Sequence, residues 1–373
     1  MFCNQAEGGH AQKVLLISLH ALNFPVVRIL WFLMGALWLG TVGCRSDPPP
    51  APAPHHPYEG PGFFICNEGN FRWGNASLSF FSEDSMTIFN GIFKQANRRP
   101  LGDVAQSMAI MGGKGYVVVN NSGRIEVIDP LTARSEGTIG GLTSPRYLTA
   151  AGDGRAYVSD LYAQAVSVVS LDSNRVIDTI GYPDWTEEWV PTAAGIVGCG
   201  VKSGTVFLLD PATDRIVQWR RLRKEVAGMV LDRDDFLWVL CNGGFEEVLP
   251  ALYRVELPTL TPVDSFVFPD RKSRPGHLAI TPGADTLFFT YQGDLYRMPV
   301  AAASLPSTPY FSGGGRIIYH VVCHPRRPWL LLTDAIDYVQ PGKLLILTRS
   351  PSHPAIIDSF TTGIIPGHIT FVP

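Results

Sequence analysis

The sequence has 373 residues, with 30 Lys and Arg against 33 Asp and Glu, for a formal net charge of −3. Its basic residues cluster only in short runs such as Arg98-Arg99, Arg220-Arg221 and Arg223-Lys224. These read as solvated loop faces, so no nucleic-acid partner is expected.

The N-terminal segment differs from all that follows. After Arg28 comes the apolar run ILWFLMGALWLGTVG, which ends at Cys44. Fifteen residues suit the core of a signal peptide and fall short of the roughly 20 that a spanning helix needs. Small residues before Cys44 match a lipobox, with Thr41 where Leu is usual. Residues 1–44 are therefore expected to form a signal peptide with Cys44 as the lipidation site, and 1–27 to be an over-extended start. An ordinary signal peptide with an incidental Cys is the alternative. The Pro-rich stretch over 45–60 reads as a semi-rigid tether.

From Pro61 to Pro373 one short pattern recurs seven times. Its second strands read FFICN (63–67), YVVVN (116–120), YVSDL (157–161), IVGCG (196–200), LWVLC (237–241), LFFTY (287–291) and LLLTD (330–334). Alternating third strands follow: LSFFSE, IEVIDP, VSVVSL, VFLLDP, LYRVEL, LYRMPV and LLILTR. A period of about 45 residues with four strands per unit predicts an all-β fold, a seven-bladed β-propeller over 61–373. Hairpin turns at 112–115 (GGKG), 152–154 (GDG), 232–235 (DRDD) and 282–285 (PGAD) carry the expected chemistry. The first repeat lacks an inner strand, and PGHITF (366–371) is left over at the C-terminus. The C-terminal strand is therefore predicted to join the first blade and close the ring. Cys66, Cys199, Cys241 and Cys323 fall in or beside second strands of different blades and read as buried free thiols.

Function is expected on the face carrying the second-to-third loops and the lead-ins to the inner strands. The loop tips carry Phe71, Trp73, Tyr162, Phe245, Tyr291 and Tyr338, with Asn67, Asn70 and Asn75 beside the first. The lead-ins add Arg146, Tyr147, Trp189 and His277. Aromatic faces with amides suit a large, flat, mostly uncharged ligand. Glu187 and Glu188 are read as an unpromising acid–base pair, because neighbours on a strand point to opposite faces. His277, His320 and His368 offer zinc-type ligands only if equivalent places on the ring converge. No catalytic residue and no metal site is expected. Three readings stay open: a ligand-binding protein, an adaptor for protein or glycan, and a lactonase- or quinoprotein-like enzyme.

At NEGNF and GNASLSFF (67–81), SPRYL (144–148), YVSDLY (157–162), FLWVLCNGG (236–244) and PGHITF (366–371) the chain resembles the YncE-like seven-bladed propeller lipoproteins of Gram-negative bacteria. Within them it is most similar to the surface lipoproteins that capture cobalamin. The resemblance implies an outer-membrane, lipid-anchored, non-catalytic protein with a corrinoid (cobalamin, vitamin B12) as bound ligand. It further implies a TonB-dependent outer-membrane transporter as partner, and no other cofactor.

Overall fold

The computed structural model describes residue 56 and residues 58–373, leaving out 245–246, 273 and 353. The signal segment, Cys44 and nearly all of the 45–60 tether lie outside the described residues, as does Phe245. Among the described residues no helix is long and apolar enough to cross a membrane.

The repeat folds into seven antiparallel sheets, the blades of a β-propeller. The second strands are buried along all or nearly all of their length, Gly62–Asn67 throughout and Lys114–Val119 after its first residue, while outer strands such as Arg175–Gly181 are mostly exposed. The reason is packing on both faces. Phe63 and Ile65 turn toward blade 7 and pack on Leu331, Leu344 and Ile346. Phe64 turns the other way, into a core shared with Val117 and Val119 of blade 2. A strand covered on both sides reads as continuous apolar sequence, whereas the exposed outer strand alternates. Every junction between neighbouring blades carries such a core.

Blade 1 is closed by the C-terminus, as the sequence predicts. Pro366–Phe371 pairs antiparallel with Gly62–Asn67, Phe371 opposite Phe63 and Ile369 opposite Ile65. The Val372 amide then donates to the Gly62 carbonyl at 3.0 Å. Six blades have four strands; Gly276–Ile280, Thr286–Tyr291 and Asp294–Pro299 form a sheet of three. There a single bridge from Leu295 to Phe311 stands in the outer position, with Tyr310 packed on Phe288 at 5.3 Å. Among the described residues one short α-helix, Ile92–Asn97, interrupts the all-β pattern and buries Ile92 and Phe93 between blades 1 and 2.

Cys66, Cys199, Cys241 and Cys323 are free and buried. Burial pushes the Cys241 thiol up to about 12 and the Cys323 thiol up to about 11, so neither forms thiolate near neutrality. All four are expected to resist Ellman's reagent at pH 8 in the native state and to react once denaturant opens the ring. Stoichiometric labelling of any one without denaturant would refute that burial.

Candidate functional site

Inner strands start, and second strands end, on one face of the ring: Pro366 lies opposite Asn67, Ala105 opposite Val119, and Ile318 opposite Asp334. This face is the mouth. Its rim carries four of the predicted aromatics in the open, Phe71 at 59%, Trp73 at 78%, Tyr162 at 67% and Tyr338 at 44% exposure. Tyr162 is held by a turn in which the Asp160 carboxylate accepts from the amides of residues 162 and 163.

The predicted amides serve the scaffold instead. Asn67 is fully buried; its Nδ2 donates to Ser79 Oγ at 2.8 Å and its Oδ1 accepts from the Gly363 amide. Asn75 Oδ1 accepts from the Asn70 amide at 2.7 Å, and Asn70 Nδ2 donates to the Tyr338 carbonyl at 2.6 Å. These bonds tie the first loop to the last and so fix the spacing of Trp73 and Tyr338. Tyr291 is buried against Phe268 and Tyr296. Trp189 packs between Tyr157 and Phe207, and its indole N–H reaches the Tyr147 carbonyl at 3.4 Å.

Below the rim the funnel narrows into a cavity of about 510 Å³. Arg146, Tyr147 and His277 line it as expected, and Glu68, Gln106, Glu187, Glu188 and Tyr319 join them. A recurring backbone irregularity puts them there. In six blades the register slips at the mouth end of the inner strand, as at Ala105/Ser107, Pro145/Leu148, Gly276/Ala279 and Ile318/His320. The residues left out of register include Gln106, Arg146, Tyr147, His277 and Tyr319. A bulge re-aims side chains that regular alternation would send to either face. His277 pays for its aim with a left-handed backbone, φ 53°.

Blade 4 reaches the same result differently. Its inner strand, Val190–Thr192, starts late, so Glu187 and Glu188 lie ahead of it in irregular chain. Both therefore line the cavity, correcting the expectation of opposite faces.

Most of the charge in this throat is mutually engaged. Arg146 Nε donates to Glu187 Oε1 at 2.7 Å and its Nη1 donates to Gln106 Oε1. Trp185 Nε1 adds a bond to Glu187, and Tyr319 Oη donates to Glu68 Oε2 at 3.1 Å. Burial pushes Glu68 up to about 7 against the pull of Arg146 and Tyr319. Burial and then Glu187 push Glu188 up to about 7. Burial holds His277 and His368 down at about 4, and burial, helped by its two imidazole neighbours, lowers His320 well below its usual value. The throat thus presents neutral imidazoles and two carboxyls, Glu68 and Glu188, that change charge near pH 7. The rings of His320 and His368 lie 5.5 Å apart, yet among the described residues no three His, Cys, Asp or Glu side chains gather closely enough to hold a metal ion.

A family described as a domain of unknown function (DUF5074) matches residues 61–326. No curated protein matches the sequence. Among solved structures the chain is similar to a protein from Lactobacillus plantarum, at 11% identity over 84% of this chain and 100% of that one, TM-score 0.65. It is also similar to the periplasmic gluconolactonase of Pseudomonas aeruginosa, at 12% identity over 84% and 99%, TM-score 0.63. A quinonprotein alcohol dehydrogenase-like protein from Bacteroides thetaiotaomicron VPI-5482 gives 12% identity over 83% and 78%, TM-score 0.64. Likeness at such identities speaks for the ring and not for what it holds.

Proposed function

Given that the chain belongs to the DUF5074 family, we propose that it is an extracytoplasmic binding protein that seats a corrinoid such as cobalamin across the propeller mouth. In this reading it catalyses nothing, is anchored through a lipid on Cys44 at the outer membrane, and passes its ligand to a TonB-dependent transporter. One observation carries the binding part: four large aromatics stand exposed around a polar-floored cavity. Exposed aromatics gathered on one rim favour a partner that covers them, and a flat ring system does so with good stacking geometry. A corrinoid is too large to descend whole into about 510 Å³, so the ring lies on the rim while one edge enters the throat.

The test is a titration of the purified protein with cyanocobalamin, read by co-elution of corrin absorbance on gel filtration. Saturable one-to-one binding is expected, and the Trp73→Ala, Tyr338→Ala double variant is expected to bind roughly tenfold or more weakly. Absence of corrin absorbance in the protein peak at micromolar concentrations overturns the reading.

A further inference from the structure

The throat does not end at its floor. A second cavity of about 220 Å³ continues down the channel, lined by Met108, Trp189 and His368 among others. Tyr147 and Glu188 are the two side chains that line both cavities, so they form the neck between them.

The polar groups around the neck divide into engaged and open. Arg146 is held by Glu187 and Gln106, Glu68 by Tyr319, and Arg274 by Glu225. Burial, with Glu188 and Glu187 adding to it, raises the Tyr147 phenol well above its usual value, so it keeps its proton and has it to donate. Glu188 takes part in no ion pair and no side-chain hydrogen bond among the described residues; the Met229 backbone is the one group that hydrogen-bonds it. The neck therefore offers a carboxyl acceptor beside a phenol donor, in a confined place where an unmade hydrogen bond is costly.

We propose that this neck is a subsite for an uncharged primary carboxamide, whose N–H donates to Glu188 while its C=O accepts from Tyr147. An ammonium group satisfies only half of the arrangement, since it has no acceptor for the phenol. A carboxylate meets Glu188 and Glu187 as like charges. A primary carboxamide is isosteric with the carboxylate and suits both partners. The inference rests on the corrinoid reading, because the corrin periphery carries several primary carboxamides and one edge of the ring must enter the throat.

Hydrolysing one carboxamide at a time gives a set of monocarboxylic acids of cyanocobalamin, each differing from the parent by one charged group. At pH 8 one of these isomers is expected to bind the wild-type protein about tenfold or more weakly than the parent. In Glu188→Gln, whose amide donates to a carboxylate, that ratio is expected to shrink to about threefold or less. A thermal melt matching wild type establishes that the variant is folded. Equal binding of every isomer to wild type overturns the subsite alone, with no need of the variant. A ratio undiminished in folded Glu188→Gln also overturns it. If cyanocobalamin itself fails to bind, the corrinoid reading falls, and the subsite with it.

Discussion

A chain truncated after Ile365 is expected to lose cooperative folding altogether, melting at least 15 °C below the full-length protein or, by circular dichroism at 37 °C, showing no native sheet. The segment removed is small, but it is the inner strand of blade 1. It carries Ile369 into the core between blades 7 and 1, and Phe371 stacks edge-on against Phe63 at 5.5 Å and His324 at 4.9 Å. Thr370 Oγ1 donates to the Met108 carbonyl at 2.8 Å, so the same strand also binds blade 2. Burial of Ile369 and partial burial of Phe371 together with a strand ladder amounts to about 5 kcal/mol or more, comparable with the whole stability of a marginal domain. Its loss also leaves Gly62–Asn67 as an open edge of fully buried residues. A truncated chain melting within about 5 °C of the parent refutes this account of closure.

The second large effect is expected at Glu83, on the same seam. Glu83 follows the third strand of blade 1, and it reaches His324, in the first hairpin turn of blade 7. Its Oε1 lies 2.8 Å from His324 Nε2, and its Oε2 accepts from Arg327 Nε at 2.5 Å. His324 Nδ1 accepts from the amides of residues 326 and 327, which makes Nε2 the protonated nitrogen that donates to Glu83. Glu83→Ala leaves the fully buried imidazole N–H without a partner and frees Arg327. With Arg327 partly in water, the expected cost is about 2–3 kcal/mol, a fall in Tm of roughly 5 °C.

The same contact sets a direction with pH. Burial alone raises the Glu83 carboxyl, but the bonds from Arg327 and His324 outweigh it and leave the group below its usual value. A carboxyl lowered in the folded state lends stability above the unfolded value of about 4.3, and that stability is lost as pH falls through the folded one. Wild type minus Glu83→Gln, measured by denaturant melts from pH 7 to pH 3, is therefore expected to be largest at pH 7 and to shrink in acid. A difference that grows on acidification contradicts the assignment.

How much of this was readable in advance depends on what covers each residue. The second strands announce themselves because both faces are packed, and the leftover PGHITF announces the closure because a ring cannot leave an inner strand unpaired. The throat is another matter. Arg146, Tyr147 and His277 stand out by their place in the repeat, but whether they face inward rests on bulges, which alternation cannot report. Glu187 and Glu188 point to opposite faces only if residues 187–188 form a strand, and there the chain is irregular. Asn67 and Asn75 look like ligand groups in a list of loop residues, and only the geometry shows their amides tied to Ser79 and residue 70. The best advance signal for Glu68 was its place: a carboxylate directly after a strand of buried residues, where little else excuses a charge.

The pairing of Gly62–Asn67 with Pro366–Phe371 has one more consequence. The first of these strands begins at the face away from the mouth, where the last one ends, and the Tyr58 amide is already fastened there to the Leu131 carbonyl of a blade 2 turn. Anything holding the protein from ahead of Tyr58 therefore grips the ring at its rear pole. The start of the described chain and the open funnel thus lie at opposite poles of the ring.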